Sequence, residues 1–100
     1  MKMKNKNKER ATKFEIAQYL ENEEMIKEYL NTVLEEGDSK DIIVALGHVA
    51  KAMGMSMIAE ETGLSRPSLY KALSEGAKPQ FDTVLKVLRA VGGHLHFKSA

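Results

Sequence analysis

Apolar residues at positions 26, 29, 30, 33 and 34 recur at helical spacing and predict a helix over about 23–36 with one buried stripe. Asn22 precedes it as an N-cap, Glu23 and Glu24 occupy the first turn where carboxylates suit the helix dipole, and Gly37 ends it. A second stripe at 42, 46, 49, 50 and 53 predicts a helix capped by Asp38 or Ser39 and closed by Gly54. After a loop at Ser74–Pro79, the residues Phe81, Val84, Leu85, Leu88 and Val91 mark a final amphipathic helix that Gly92–Gly93 stops. Ahead of all these, Phe14, Ile16, Ala17, Tyr19 and Leu20 form a short apolar element of one or two helical turns. The chain end differs in period. His94, Leu95, His96 and Phe97 alternate polar with apolar, as a strand does. One strand cannot stand alone in a helical domain, so residues 94–97 are expected to pair with the same strand of a second subunit in a two-fold dimer.

The segment between the second stripe and the loop, Met55 to Leu73, has the layout of a helix-turn-helix. Ala59 is small where the two helices cross, and Gly63 stands where the turn requires a positive φ. Ile58, Leu64 and Leu69 fall at the spacings that lock the pair together. Ser65 is placed to cap the second helix, and Pro67 lies in its first turn, where a missing N–H costs little. Such a pair presents its second helix to the DNA major groove. On that helix Leu69, Ala72 and Leu73 turn inward, while Pro67, Tyr70, Lys71 and Ser74 turn out and Arg66 and Ser68 flank them.

The expected DNA-binding residues are therefore Arg66, Ser68, Tyr70 and Lys71, with Ser65 and Ser56. Arginine pairs bidentately with guanine O6 and N7, lysine reaches a base or a phosphate, and a tyrosine contacts phosphate or stacks on sugar. Ser56 is read first as the cap of the first motif helix, and second as a phosphate ligand. The competing reading is an exposed polar face on an ordinary helical hairpin. Glu60 and Glu61 on the first motif helix would repel phosphates, so binding is expected to be modest, salt-sensitive and dependent on a dimer.

Charge adds a second theme. The net +1 hides a segregation: residues 1–13 sum to +5, residues 14–41 to −7 and residues 42–100 to +3. Separation of this kind suggests one anionic and one cationic partner, although solvated helix faces account for part of it. Residues 1–12 are a Lys/Asn-rich tail without apolar periodicity and are expected to be disordered. Residues 13–100 are then a single all-α domain: an acidic helical extension at 13–37, a DNA-binding bundle at 38–92 and a terminal strand at 94–97.

The chain has no cysteine, which excludes disulfides and thiolate metal sites. Its longest apolar run is far short of the roughly 18 residues that span a bilayer, and no apolar segment follows the N-terminal lysines as in a secretory signal. A cytoplasmic protein with no membrane partner is the simplest expectation. No phosphate loop, nucleophile elbow or metal-binding helix motif is present. His48 reads as a surface or boundary residue, and His94 and His96 as solvent-facing rather than metal ligands, since no third ligand is identifiable. No enzyme, metal or cofactor is expected.

Taken together, FEIAQYL at 14–20, EEMIKEYLNTVLEEGD at 23–38, IIVALGHVAKAMGMSMIAEETGLSRPSLYKALS at 42–74 and PQFDTVLKVLRAVGGHLHF at 79–97 resemble the addiction-module antidote family. The LSRPSLYKALS block is the most specific part of the likeness. The resemblance implies a lambda-repressor-like bundle in a bacterial or phage antitoxin that binds operator DNA and represses its own operon. It implies as partner a compact, basic RelE/ParE-like toxin, and Glu23, Glu24 and Glu28, together with Glu21, Glu35 and Glu36, are candidates to complement that toxin's surface. One departure stands out: many lambda-repressor-like proteins place a phosphate-binding glutamine where Met55 stands here. A free-standing phage-type repressor and an interaction module that never touches DNA remain the alternatives.

Overall fold

The computed structural model describes residues 22–99, so the basic tail and the apolar element at 14–20 lie outside the described residues. Five helices follow one another: α1 (Glu23–Glu36), α2 (Ser39–Met53), α3 (Met55–Thr62), α4 (Arg66–Ala72) and α5 (Phe81–Ala90). The starts of α1, α2 and α4 are built by side chains that satisfy the free N–H groups of the first turn. Asn22 Oδ1 accepts from the Met25 amide at 2.9 Å to open α1. Asp38 and Asp41 form a reciprocal capping box on α2, each carboxylate accepting from the other's backbone N–H at 3.0 Å.

Helix α2 is the hub. Ile43, Ala45, Leu46, Val49 and Ala50 are buried, and the helix packs against α1, α3 and α5. Helix α3 adds Met55, Ile58 and Ala59 and bridges α4 to α5. One apolar core runs from Leu30 of α1 through these residues, Ile43 excepted, to Leu69, Leu73, Val87, Leu88 and Val91. Between α2 and α3 the chain turns by 110° over a single residue, Gly54. Its φ of +115° is a conformation that side chains rarely adopt. Its N–H closes α2 on the Ala50 carbonyl at 2.9 Å, and its carbonyl accepts from the Ile58 N–H at 3.1 Å to open α3. No single helix among the described residues is long and apolar enough to cross a membrane.

One sequence expectation changes here, and a second has no counterpart among the described residues. Ser56 does not cap α3: the cap position is Gly54, no side chain caps that end, and Ser56 is already inside the helix and exposed. A one-residue elbow leaves no extended residue from which a serine could reach back to the first turn. The C-terminal strand is also not formed among the described residues. Helix α5 ends in a Schellman turn, with Gly92 N–H donating to the Arg89 carbonyl and Gly93 N–H to the Leu88 carbonyl, both at 3.0 Å. Residues 93–99 then run without regular structure, with Leu95 and Phe97 exposed. Alternation marks a strand only where a second edge accepts its hydrogen bonds, and the described residues offer none to 94–97.

Candidate nucleic-acid interface

The turn from α3 into α4 has the geometry its residues predict. Gly63 is left-handed at φ +77°, and its N–H caps α3 on the Ala59 carbonyl at 2.9 Å. Thr62, buried at the end of α3, donates from Oγ1 to the Ile58 carbonyl at 2.8 Å and accepts from the Leu64 N–H at 3.3 Å. Ser65 Oγ accepts from the Ser68 amide at 3.2 Å and donates to Ser68 Oγ at 2.9 Å. Both hydroxyls are therefore engaged with each other at the start of α4, and both side chains are exposed.

Helix α4 is held by one face. Leu69 is fully buried and Leu73, just past the helix end, nearly so. The opposite side leaves Arg66, Pro67, Ser68, Tyr70 and Lys71 exposed, as the helical wheel predicts. Arg66 and Tyr70 are one turn apart, and the guanidinium carbon sits 5.9 Å from the ring centroid. Lys71 lies in the last turn, where a cation suits the helix dipole. Arg66 lies in the first turn, where it opposes the dipole. Helix stability thus gives no reason for an arginine at that position.

Helix α1 shows the reverse arrangement. Glu23, Glu24, Glu28, Glu35 and Glu36 are exposed, and Glu35 and Glu36 occupy the last turn with no basic residue beside them. Carboxylates there oppose the dipole as Arg66 does in α4. Among the described residues the ion pair formed is Lys86 with Asp82, at 3.3 Å on α5, so the carboxylates of α1 are not neutralised by cations of the described fold. Glu21 lies outside the described residues. Glu60 and Glu61 are exposed on α3. His94 and His96 are exposed on the C-terminal segment, and among the described residues no three or more His, Asp or Glu side chains gather in a metal-binding group.

Two features were not visible in the sequence. Tyr29 of α1 and His48 of α2 are hydrogen-bonded, Oη to Nδ1 at 3.0 Å, and burial pushes the Tyr29 phenol above its ordinary pKa. The helical stripe includes Tyr29, but nothing local pairs it with a residue 19 positions away. The second feature is Lys51 of α2, whose Nζ lies 6.0 Å from the Tyr70 ring centroid. Met55, in the position of the expected phosphate-binding glutamine, is buried in the core.

The exposed side of α4 therefore offers a guanidinium, an ammonium, a phenol and a hydroxyl within two turns, a set that matches phosphate oxygens and base edges. Comparison with known proteins adds the family. An uncharacterized protein of Haemophilus influenzae is 46% identical over 83 residues, which cover 83% of this chain and 86% of that relative. No solved structure gives a significant match. The family model described as "Probable addiction module antidote protein" matches residues 10–99, from within the basic tail to the end of the C-terminal segment. The chain with the acidic α1 and the cationic face of α4 thus belongs to the addiction module antidote family.

Proposed function

We propose that this protein is the antitoxin of a type II toxin–antitoxin module, binds operator DNA through α3 and α4, and represses its own operon. Membership of the antidote family supports the antitoxin role. The observation that carries the DNA role is the outward face of α4, where Arg66, Ser68, Tyr70 and Lys71 stand exposed on a helix anchored by Leu69. In this reading α4 enters the major groove. Arg66 addresses a base edge, Lys71 a base or phosphate, and Tyr70, Ser65 and Ser68 the backbone. Ser56, exposed and released from capping, is left with the phosphate role.

The partner toxin is a compact, basic protein of the RelE/ParE type, and Glu23, Glu24 and Glu28 steer it onto α1. Two copies act together in the cytoplasm, pairing residues 94–97 edge to edge, which would set the exposed Leu95 and Phe97 beside cross-strand neighbours and give a two-fold reader for a palindromic operator. The protein is a binding protein without catalytic activity or cofactor. Footprinting on the DNA upstream of its own coding sequence tests the reading. A protected site is expected, and it should be lost in Arg66→Ala and Lys71→Ala with the helical circular dichroism intact. Co-expression with the neighbouring gene product should give co-purification and rescue of growth. Absence of a footprint at low salt overturns the DNA role, and failure to co-purify overturns the antitoxin role.

A further inference from the structure

We propose that Lys51, on the helix before α3, is a ligand for a duplex-DNA phosphate and is held in place by the ring of Tyr70. The inference rests on the DNA reading above and extends the interface beyond α3 and α4. Its geometric origin is Gly47. A Cβ built there would lie 3.0 Å from the Leu73 carbonyl oxygen, so α2 approaches the end of α4 as closely as a glycine allows. Lys51 is one turn beyond Gly47 on the same face of α2, and Tyr70 is about one turn before Leu73 on α4. The close approach at Gly47 and Leu73 thereby brings the ammonium to 6.0 Å from the ring.

The same ring has the Arg66 guanidinium carbon at 5.9 Å. Two cations lie near one half-exposed aromatic ring, and among the described residues neither takes part in an ion pair. The ring face attracts both without neutralising them. A lysine already restrained in this way loses less side-chain entropy when it meets an anion. An ammonium is a compact point charge suited to a single phosphate, and a guanidinium is a planar fork suited to a guanine edge. Tyr70 therefore fixes the spacing between a backbone contact and a base contact.

The shape of the surface favours a polyanion over a small free anion. The open cleft beside Lys51, about 200 Å³ in volume, is also lined by Glu75, whose carboxylate would repel an anion seated inside it. Lys51, at the edge of the cleft, and Arg66 and Lys71, which do not line it, are all exposed. Met55 lines the same cleft and has no polar group to offer a phosphate, and Lys51, four residues earlier, places a charge beside it.

The test is fluorescence anisotropy with two labelled duplexes, one from upstream of the coding sequence and one of scrambled sequence, each titrated across a salt series. Lys51→Gln should weaken both duplexes by a similar factor, roughly three- to tenfold at low salt, and should shallow the log–log salt slope by about one. Lys51→Arg should keep the slope. Lys86→Gln, on the far helix α5, should change neither. If the unmodified protein binds and Lys51→Gln binds with the same affinity and slope, the phosphate assignment fails and the DNA role stands. A loss confined to the upstream duplex would make Lys51 a base reader and also overturn the assignment. If the unmodified protein binds neither duplex, the DNA role fails and this inference with it.

Discussion

Helices α1 and α4 are both anchored by one buried face, and both carry exposed charge that works against their own dipole. In α1 the offending groups are Glu35 and Glu36 at the C-terminal end, and in α4 it is Arg66 at the N-terminal end. Charges of opposite sign at opposite ends cannot be explained by helix stability, since each costs a few tenths to about 1 kcal/mol where it stands. The fold is held elsewhere, by Leu30 under α1, by Leu69 and Leu73 under α4 and by the caps at Asn22, Asp38 and Ser65. The contrast is one of charge: the outward face of α1 is acidic and that of α4 cationic, which is why we propose partners of opposite charge for them.

The largest expected effect breaks the common foundation. Leu69→Ala removes a fully buried side chain and should cost about 2–5 kcal/mol, read by urea unfolding. If DNA binding falls in step with stability while toxin capture persists in the folded fraction, the two faces are separable. Next comes a double dissociation. Arg66→Ala should weaken the upstream duplex by about 1–3 kcal/mol and leave toxin affinity alone. Reversing Glu23, Glu24 and Glu28 to lysine should slow toxin association about tenfold and flatten its salt dependence. An unchanged toxin affinity and salt dependence in that triple variant would dismiss the acidic docking face.

A smaller effect concerns how α1 is tied to α2. Tyr29→Phe removes the hydrogen bond to His48 and should cost about 0.5–1.5 kcal/mol near neutral pH. Burial favours the neutral phenol in the folded chain, so its contribution is complete below the unfolded pKa of about 10 and is lost as pH rises through the higher folded value. Melts at rising alkaline pH should fall more steeply in the unmodified protein than in Tyr29→Phe. The smallest effect has the opposite sign. Glu35→Lys should stabilise by about 0.3–1 kcal/mol, because it replaces an opposing charge at the end of α1 with a matching one. No gain in melting temperature would show that the carboxylate is not under the strain assigned to it.

The helices were legible in the sequence wherever a local device marks them. Asn22 and Ser65 cap as expected, Asp38 caps α2 where the sequence left Asp38 or Ser39 open, and Gly54 and Gly63 take the positive φ that only glycine adopts cheaply. The α4 face was equally legible, because a helix held by Leu69 and Leu73 exposes Arg66, Tyr70 and Lys71 by geometry alone. What escaped depends on contacts between elements. Ser56 looks like a cap until the elbow proves to be one residue long. Phe81 heads the apolar stripe of α5 yet is 66% exposed. The pairing of Lys51 with Tyr70 requires the close approach at Gly47, and that of Tyr29 with His48 the packing of α1 on α2. The strand at 94–97 needs a partner edge that a period-2 pattern implies but does not supply.

The elbow at Gly54 also governs where this chain can change length. One residue ends α2 and begins α3 there, so the angular phase of α3 is locked to that of α2. A single inserted residue would separate the N–H that closes α2 from the carbonyl that opens α3, and would disturb the placement of Ile58 in the core. The loop from Ser74 to Pro79 has no such coupling, and an insertion there only lengthens a surface connection at small entropic cost. Tags and reporters inserted into this protein belong in that loop, and the elbow should tolerate neither an extra residue nor a side chain in place of Gly54.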